Sequence, residues 1–187
     1  MQIKNRKKLI IICLLSLFLF NFNLSAEEFY ISAKEITIDN KNQILVGKGS
    51  VLAQDSEGKR IYANKITYEK SKEFLLAEGE VKIVDKDGNI LETDKATYDK
   101  INEKIVTYNN TEVMLKEGYK LVSKNISYNI IKKILNSSEN SIFTDIDGNT
   151  IETTMFRYDI KNNLFSSIGE IKILDVNKNK YFFTNHD

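Results

Sequence analysis

Residues 63–90 read ANKITYEKSKEFLLAEGEVKIVDKDGNI, and they contain two kinds of strand. In the second half, Leu75, Ala77, Gly79, Val81 and Ile83 alternate with Leu76, Glu78, Glu80, Lys82 and Val84. That period of two gives a strand with one apolar face. The segment before it, 60–69, behaves differently: Ile61 and Ala63 stand at odd positions, Ile66 and Tyr68 at even ones. A one-residue slip moves every later side chain to the opposite face, so the slip predicts a bulge or bend where the strand turns a corner. A Lys-rich turn, EKSK, separates the two strands, and an Asp-Gly turn, DKDG, follows them.

The same layout recurs every 30 residues. Gly58, Gly88, Gly118 and Gly148 share one column, with Lys178 next in line. Ile61, Leu91, Leu121, Ile151 and Tyr181 share another, and Ile36, Ile66, Ala96, Ile126 and Phe156 a third. Ile38, Tyr68, Tyr98, Tyr128 and Tyr158 follow two places later, each preceding Asp, Glu or Asn. A column of small residues holds Ala33, Ala63, Thr93, Ser123 and Thr153. No insertion breaks the interval, so the chain reads as five two-strand repeats between 33 and 182. Tyr, Ile, Val, Phe and Thr dominate these segments, and no long stretch has a 3.6-residue period. The expectation is all-β: a single bent antiparallel sheet of about ten to eleven strands, on the order of 50 Å long.

The turn sequences DKDGNILE (85–92) and DIDGNTIE (145–152) look at first like calcium loops. An EF-hand needs ligands at positions 1, 3, 5 and 12 with glycine at 6. Here glycine is fourth and glutamate eighth, so the stretch is assigned to a hairpin turn, with no metal and no cofactor expected.

Residues 1–26 follow another logic. A basic start, MQIKNRKK, precedes the apolar run LIIICLLSLFLF and a polar stretch ending at Ala26, the order of a secretory signal peptide. The run is shorter than the roughly 20 residues a spanning helix needs, and the competing reading, an uncleaved anchor, would extend it through Phe22 and Leu24 only by burying Asn21 and Asn23. The expected domains are therefore a signal peptide, 1–26, and an exported domain, 27–187. Setting aside Lys4, Arg6, Lys7 and Lys8 from the 27 basic residues leaves 23 against 26 acidic ones, a formal charge of −3. No basic block remains to track a phosphate backbone, so no nucleic-acid partner is expected. Cys13, the one cysteine, leaves with the signal peptide, so the domain relies on packing and strand pairing without disulfides. The one histidine, His186, reads as a frayed terminal residue, and no triad or zinc cluster can be assembled around it. An enzyme is not expected.

Two non-enzymatic readings fit the pattern: a structural or adhesive spacer whose repeats bury a continuous core, and an open groove with an apolar lining. The repeated motifs AKEITID…LVGKGSVLA, ANKITYEK…LAEGEVKIVDKDGNI and TDKATYDK resemble the organic-solvent-tolerance (OstA-like) family of lipopolysaccharide-transport proteins. In units four and five the likeness weakens, where NSSENSIF stands in place of the A-x-G-x-V strand. The resemblance implies a sheet bent into an open V-shaped trough, a β-jellyroll or β-taco, that carries lipid A acyl chains across the periplasm toward the outer membrane. It also implies lipopolysaccharide as cargo. Its expected protein partners are other transport proteins joined by edge-strand pairing, with head-to-tail self-association possible. On this expectation the acyl-chain lining is Ile36, Leu45, Val51, Ile66, Leu75, Val81, Ile83, Val113, Leu115, Ile126, Phe156 and Ile171. The family's soluble bridge and the N-terminal domain of its outer-membrane translocon both fit the chain.

Overall fold

The computed structural model describes residues 29–183; the signal-peptide expectation for 1–26 and the reading of His186 lie outside them. Sixteen strands form one antiparallel sheet. They are β1 (Tyr30–Ser32), β2 (Glu35–Asp39), β3 (Ile44–Gln54), β4 (Arg60–Glu69), β5 (Phe74–Val84), β6 (Ile90–Asp99), β7 (Lys104–Met114) and β8 (Lys120–Lys124). The remainder are β9 (Ser127–Asn129), β10 (Ile134–Ser137), β11 (Ser141–Thr144), β12 (Thr150–Thr153), β13 (Phe156–Asp159), β14 (Leu164–Ser167), β15 (Ile171–Leu174) and β16 (Lys180–Phe183).

The expected ten or eleven strands are thus too few. The reason lies at the corner, where five crossings of the sheet are split in two: β1/β2, β8/β9, β10/β11, β12/β13 and β14/β15. The split separates two walls. One runs β1-β3-β4-β5-β6-β7-β8-β11-β12-β15-β16; the other carries β2 against β3, then β9, β10, β13 and β14 outward from β7. Only β3 to β7 run through both walls, and each neighbouring pair among them shifts register at the corner.

The phase slip expected in β4 is that shift, between Tyr62 and Lys65. Against Asn64 or Asp94 the odd-numbered partners place two residues, a bulge that bends the sheet. Left-handed backbone makes this bulge possible: Gly79 and Glu80 have φ 77° and 49°, and Asn109 has φ 66°. A Cβ on Gly79 would sit 2.9 Å from the Asn64 side chain, so this column favours glycine for space as well as for torsion.

Hairpin turns line the two free rims of the walls. On the first rim, Gly58, Gly88, Gly118, Gly148 and Lys178 each donate an N–H to the carbonyl three residues back. All five are left-handed, the glycines at φ 91–97° and Lys178 at φ 65°. Asp85 Oδ1 accepts from the N–H groups of Asp87 and Asn89, while its Oδ2 accepts from Asn89 Nδ2 and Tyr128 Oη. Asp85 thus closes the turn as an acceptor, in the hairpin turn that the sequence assigns to DKDGNILE. On the second rim, Asp39, Asp99 and Asp159 cap their turns by accepting from the backbone and side chain of Asn42, Asn102 and Asn162. Those side-chain bonds hold all three carboxyls below the ordinary aspartate range.

Candidate functional site: the space between the walls

The apolar faces of both walls point at each other. Ile61, Ile83, Leu91, Val113 and Leu121 come from the first wall, and Ile66, Leu75, Ala96, Ile105 and Ile126 from the second; each is at most 1% exposed. Of the expected lining residues, Val51, Ile66, Leu75, Val81, Ile83, Val113, Leu115, Ile126 and Phe156 are all buried in this one cluster. Leu45 and Ile171 are half-buried, and Ile36 is 46% exposed. The structure brings the set onto one face, but it does not leave an open trough between them. Side chains fill the middle of the fold.

Direct contacts between the walls show how the filling works. Phe143 on β11 lies 5.3 Å from Tyr158 and 4.9 Å from Phe165, centroid to centroid, both on the opposite wall. Phe29 meets Tyr68 and Tyr98 edge-on at 5.4 and 5.8 Å.

Polar contacts then join the rims. Lys59, 4% exposed, pairs with Asp55 in its own turn at 3.1 Å. It also reaches Glu103 on the opposite rim at 3.1 Å and donates to the Tyr98 hydroxyl. Tyr98 in turn donates to Glu103 Oε1 at 2.6 Å. Farther along, Tyr128 donates to Asp85 at 3.1 Å and Lys133 pairs with Asp87. A third link runs from Asn163 Nδ2 to the Tyr119 hydroxyl at 3.0 Å. Burial, with the neighbouring carboxylates, pushes the phenols of Tyr98 and Tyr128 far above their usual range. Burial also raises Tyr158, to about 12.

The ends differ from the middle. Ile36 and Ile38 on β2, and Tyr181 and Phe183 on β16, pair in register with inward residues yet are 46–61% exposed. Near the first end, a cavity of about 380 Å³ opens among Phe29, Ile31, Ile38, Leu45 and Tyr68. Strand edges at both ends lack a hydrogen-bonded neighbour among the described residues: β1 and β2 at one, β14 and β16 at the other.

Sequence reasoning missed two features. One is Lys59, whose column otherwise holds Asn89, Tyr119, Asn149 and Asn179; a lysine among them was the available signal. The other is a run of buried hydroxyls inside the corner: Thr93, Thr107, Thr111, Ser123, Ser137, Ser141 and Thr153. The column of small residues pointed to it but was read for size alone.

No protein-family model matches the chain, and no curated protein matches it in sequence. Among solved structures, the chain is similar to the crystal structure of LptH, the LptA homologous periplasmic component of the conserved lipopolysaccharide transport device from Pseudomonas aeruginosa. The two are 12% identical, with a TM-score of 0.47, and the match covers 86% of this chain and 96% of that chain.

Proposed function

We propose that this protein is a non-enzymatic periplasmic carrier of lipopolysaccharide, holding lipid A acyl chains between its two walls on the way to the outer membrane. The observation that carries this reading is a single unclosed sheet whose apolar inner face runs from Ile36 to Phe183 and lies exposed at both ends. A carrier needs such a face and no reactive group, since each methylene taken from water contributes about 0.8 kcal/mol. The repeat motifs that resemble the organic-solvent-tolerance family support it from the sequence side. Exposed apolar residues beside unpaired strand edges suit pairing with another domain of the same kind, which would continue the apolar face from one domain to the next. Edge pairing of this sort accommodates other transport proteins or a second copy. The role fits a soluble bridge or the N-terminal domain of a translocon.

One observation favours a different reading, a structural spacer. The middle of the interior is packed without a continuous opening, as a mere core would be. Calorimetric titration with lipopolysaccharide and with its deacylated saccharide separates the two. A carrier binds the acylated form, with a negative heat-capacity change, and ignores the saccharide. Equal binding of both, or of neither, supports the spacer.

A further inference from the structure

We propose that the polar links between the rims are a gate. An alkyl chain enters between the walls only when the Lys59, Asp85/Asp87 and Tyr119 latches release their partners Tyr98/Glu103, Tyr128/Lys133 and Asn163. The inference rests on the carrier reading and deepens it. Its basis is placement. Each latch joins a first-rim turn to the second wall, 43 or 44 residues farther along the chain in the three measured bonds. The latches thus cross the mouth obliquely, at successive turns, over the section where the inward residues are fully buried. Among the described residues, no rim-to-rim hydrogen bond or ion pair lies beyond Tyr119–Asn163. There the inward residues Phe165, Ile171 and Ile173 are only half-buried. Closure and latching therefore coincide along the molecule, and so do their losses.

The Lys59 latch is built to break cleanly. On release the ammonium keeps Asp55 within its own turn, so opening the mouth does not strand a buried cation. Glu103, whose side chain is a quarter exposed, can turn to water. Separating the rims thus costs the cross-wall bonds and the apolar contacts beneath them, and an arriving alkyl chain restores the latter.

The test uses two paired variants. Glu103→Ala with Tyr98→Phe removes both acceptors of the first latch while leaving Lys59 on Asp55. Tyr128→Phe with Lys133→Met cuts the second. Lys82→Met, which removes an ion pair to Glu92 between half-exposed outward side chains, is the control. Spin labels at Ser56→Cys and Ile101→Cys, in a Cys13→Ser background, report rim separation without ligand. Uptake of parinaric acid, a fluorescent polyene fatty acid, reports access to the interior. The expected result is a longer and broader rim distance in either paired variant. Uptake should accelerate on the order of tenfold, the change that loss of one charge-assisted hydrogen bond implies. The control should match the parent. Unchanged distance and unchanged uptake in folded variants overturn the gate while leaving the carrier reading intact. Widened rims with no uptake by any form, parent included, overturn the carrier reading and the gate with it. Should one paired variant fail to fold by circular dichroism, the other decides.

Discussion

Strands β3 to β7 and strands β8 to β16 carry the same 30-residue pattern, yet they build different structures. The first group crosses the corner without a break, in strands of 10 or 11 residues. The second is chopped into strands of 3 to 5 residues. The side chains inside the corner also change along the sheet. In the first group, Val51, Ala63 and Val81 fill it in β3 to β5. Strands β6 and β7, which still cross unbroken, carry Thr93, Thr107 and Thr111, and Thr93 donates to the carbonyls of Tyr108 and Asn110. In the second, Ser137 donates to the Lys124 carbonyl and Ser141 to that of Glu139, both at 2.6 Å, while Thr153 donates to that of Met155 at 3.1 Å. Hydroxyls that take up carbonyls compete with the strand ladder for them. The columns of large apolar residues set which face is inside; corner hydroxyls are present on both sides of the change, so they do not by themselves decide whether a strand survives the bend.

The contrast can be broken most forcefully at Lys59. Lys59→Ala leaves Asp55 buried without its cation and should cost about 3–5 kcal/mol in urea unfolding. Lys82→Ala, which removes a half-exposed pair, should cost about 0.2–1 kcal/mol. Similar losses from both would mean that the first latch is not the buried element described. Next in size, Leu75→Ala in the sealed section should cost about 2–5 kcal/mol. Ile171→Ala in the half-open section should lose less than about 1.5 kcal/mol, because it is already partly in water. Equal values would erase the distinction between sealed and open sections.

A third test follows the raised phenols. Because the folded state holds Tyr98, Tyr128 and Tyr158 protonated, their contribution is complete below the ordinary phenol pKa of about 10 and falls as pH rises above it. Phenolate absorbance should therefore lag in the folded protein and appear together with unfolding. Smooth titration of all tyrosines near pH 10 without unfolding would contradict the burial of the rim tyrosines. Smaller again, Lys178→Gly should stabilise the last turn by about 1 kcal/mol, since a lysine there holds the left-handed conformation that glycine adopts freely. Thermal melts check this, and a loss would place Lys178 in some compensating contact. The smallest expected effect is at acid pH. The lowered carboxyls of Asp39, Asp99 and Asp159 support folding above the ordinary aspartate range, and that support is lost as pH falls through their folded values. Asn102→Ala should narrow the loss at Asp99, read as a shallower acid limb of stability against pH.

Much of this was legible in the sequence. The interval between Gly58 and Gly148 located the first-rim turns, and the phase slip between Ala63 and Ile66 located the corner. Which strand positions are buried was largely legible too, because strand alternation and burial share a period, though Ile36, Leu45 and Ile171 lie outside the buried cluster. Strand number was not, since the 30-residue columns run on unchanged through the corner whether a strand crosses it whole, as β6 does, or is split, as β8/β9 is. Nor were the latches. They join positions more than 40 residues apart on opposite walls, and no local pattern encodes which turns will meet.

The most direct test of the central claim places a photoreactive phenylalanine analogue at Ile173 or at Lys172 and irradiates the protein with lipopolysaccharide. Ile173 is half-buried on the inner face, and its neighbour Lys172 is exposed on the outer one. Adducts to the acyl chains at Ile173 and none at Lys172 are expected if the walls hold acyl chains. Equal adducts at both positions, or none at Ile173 in folded protein, would contradict it.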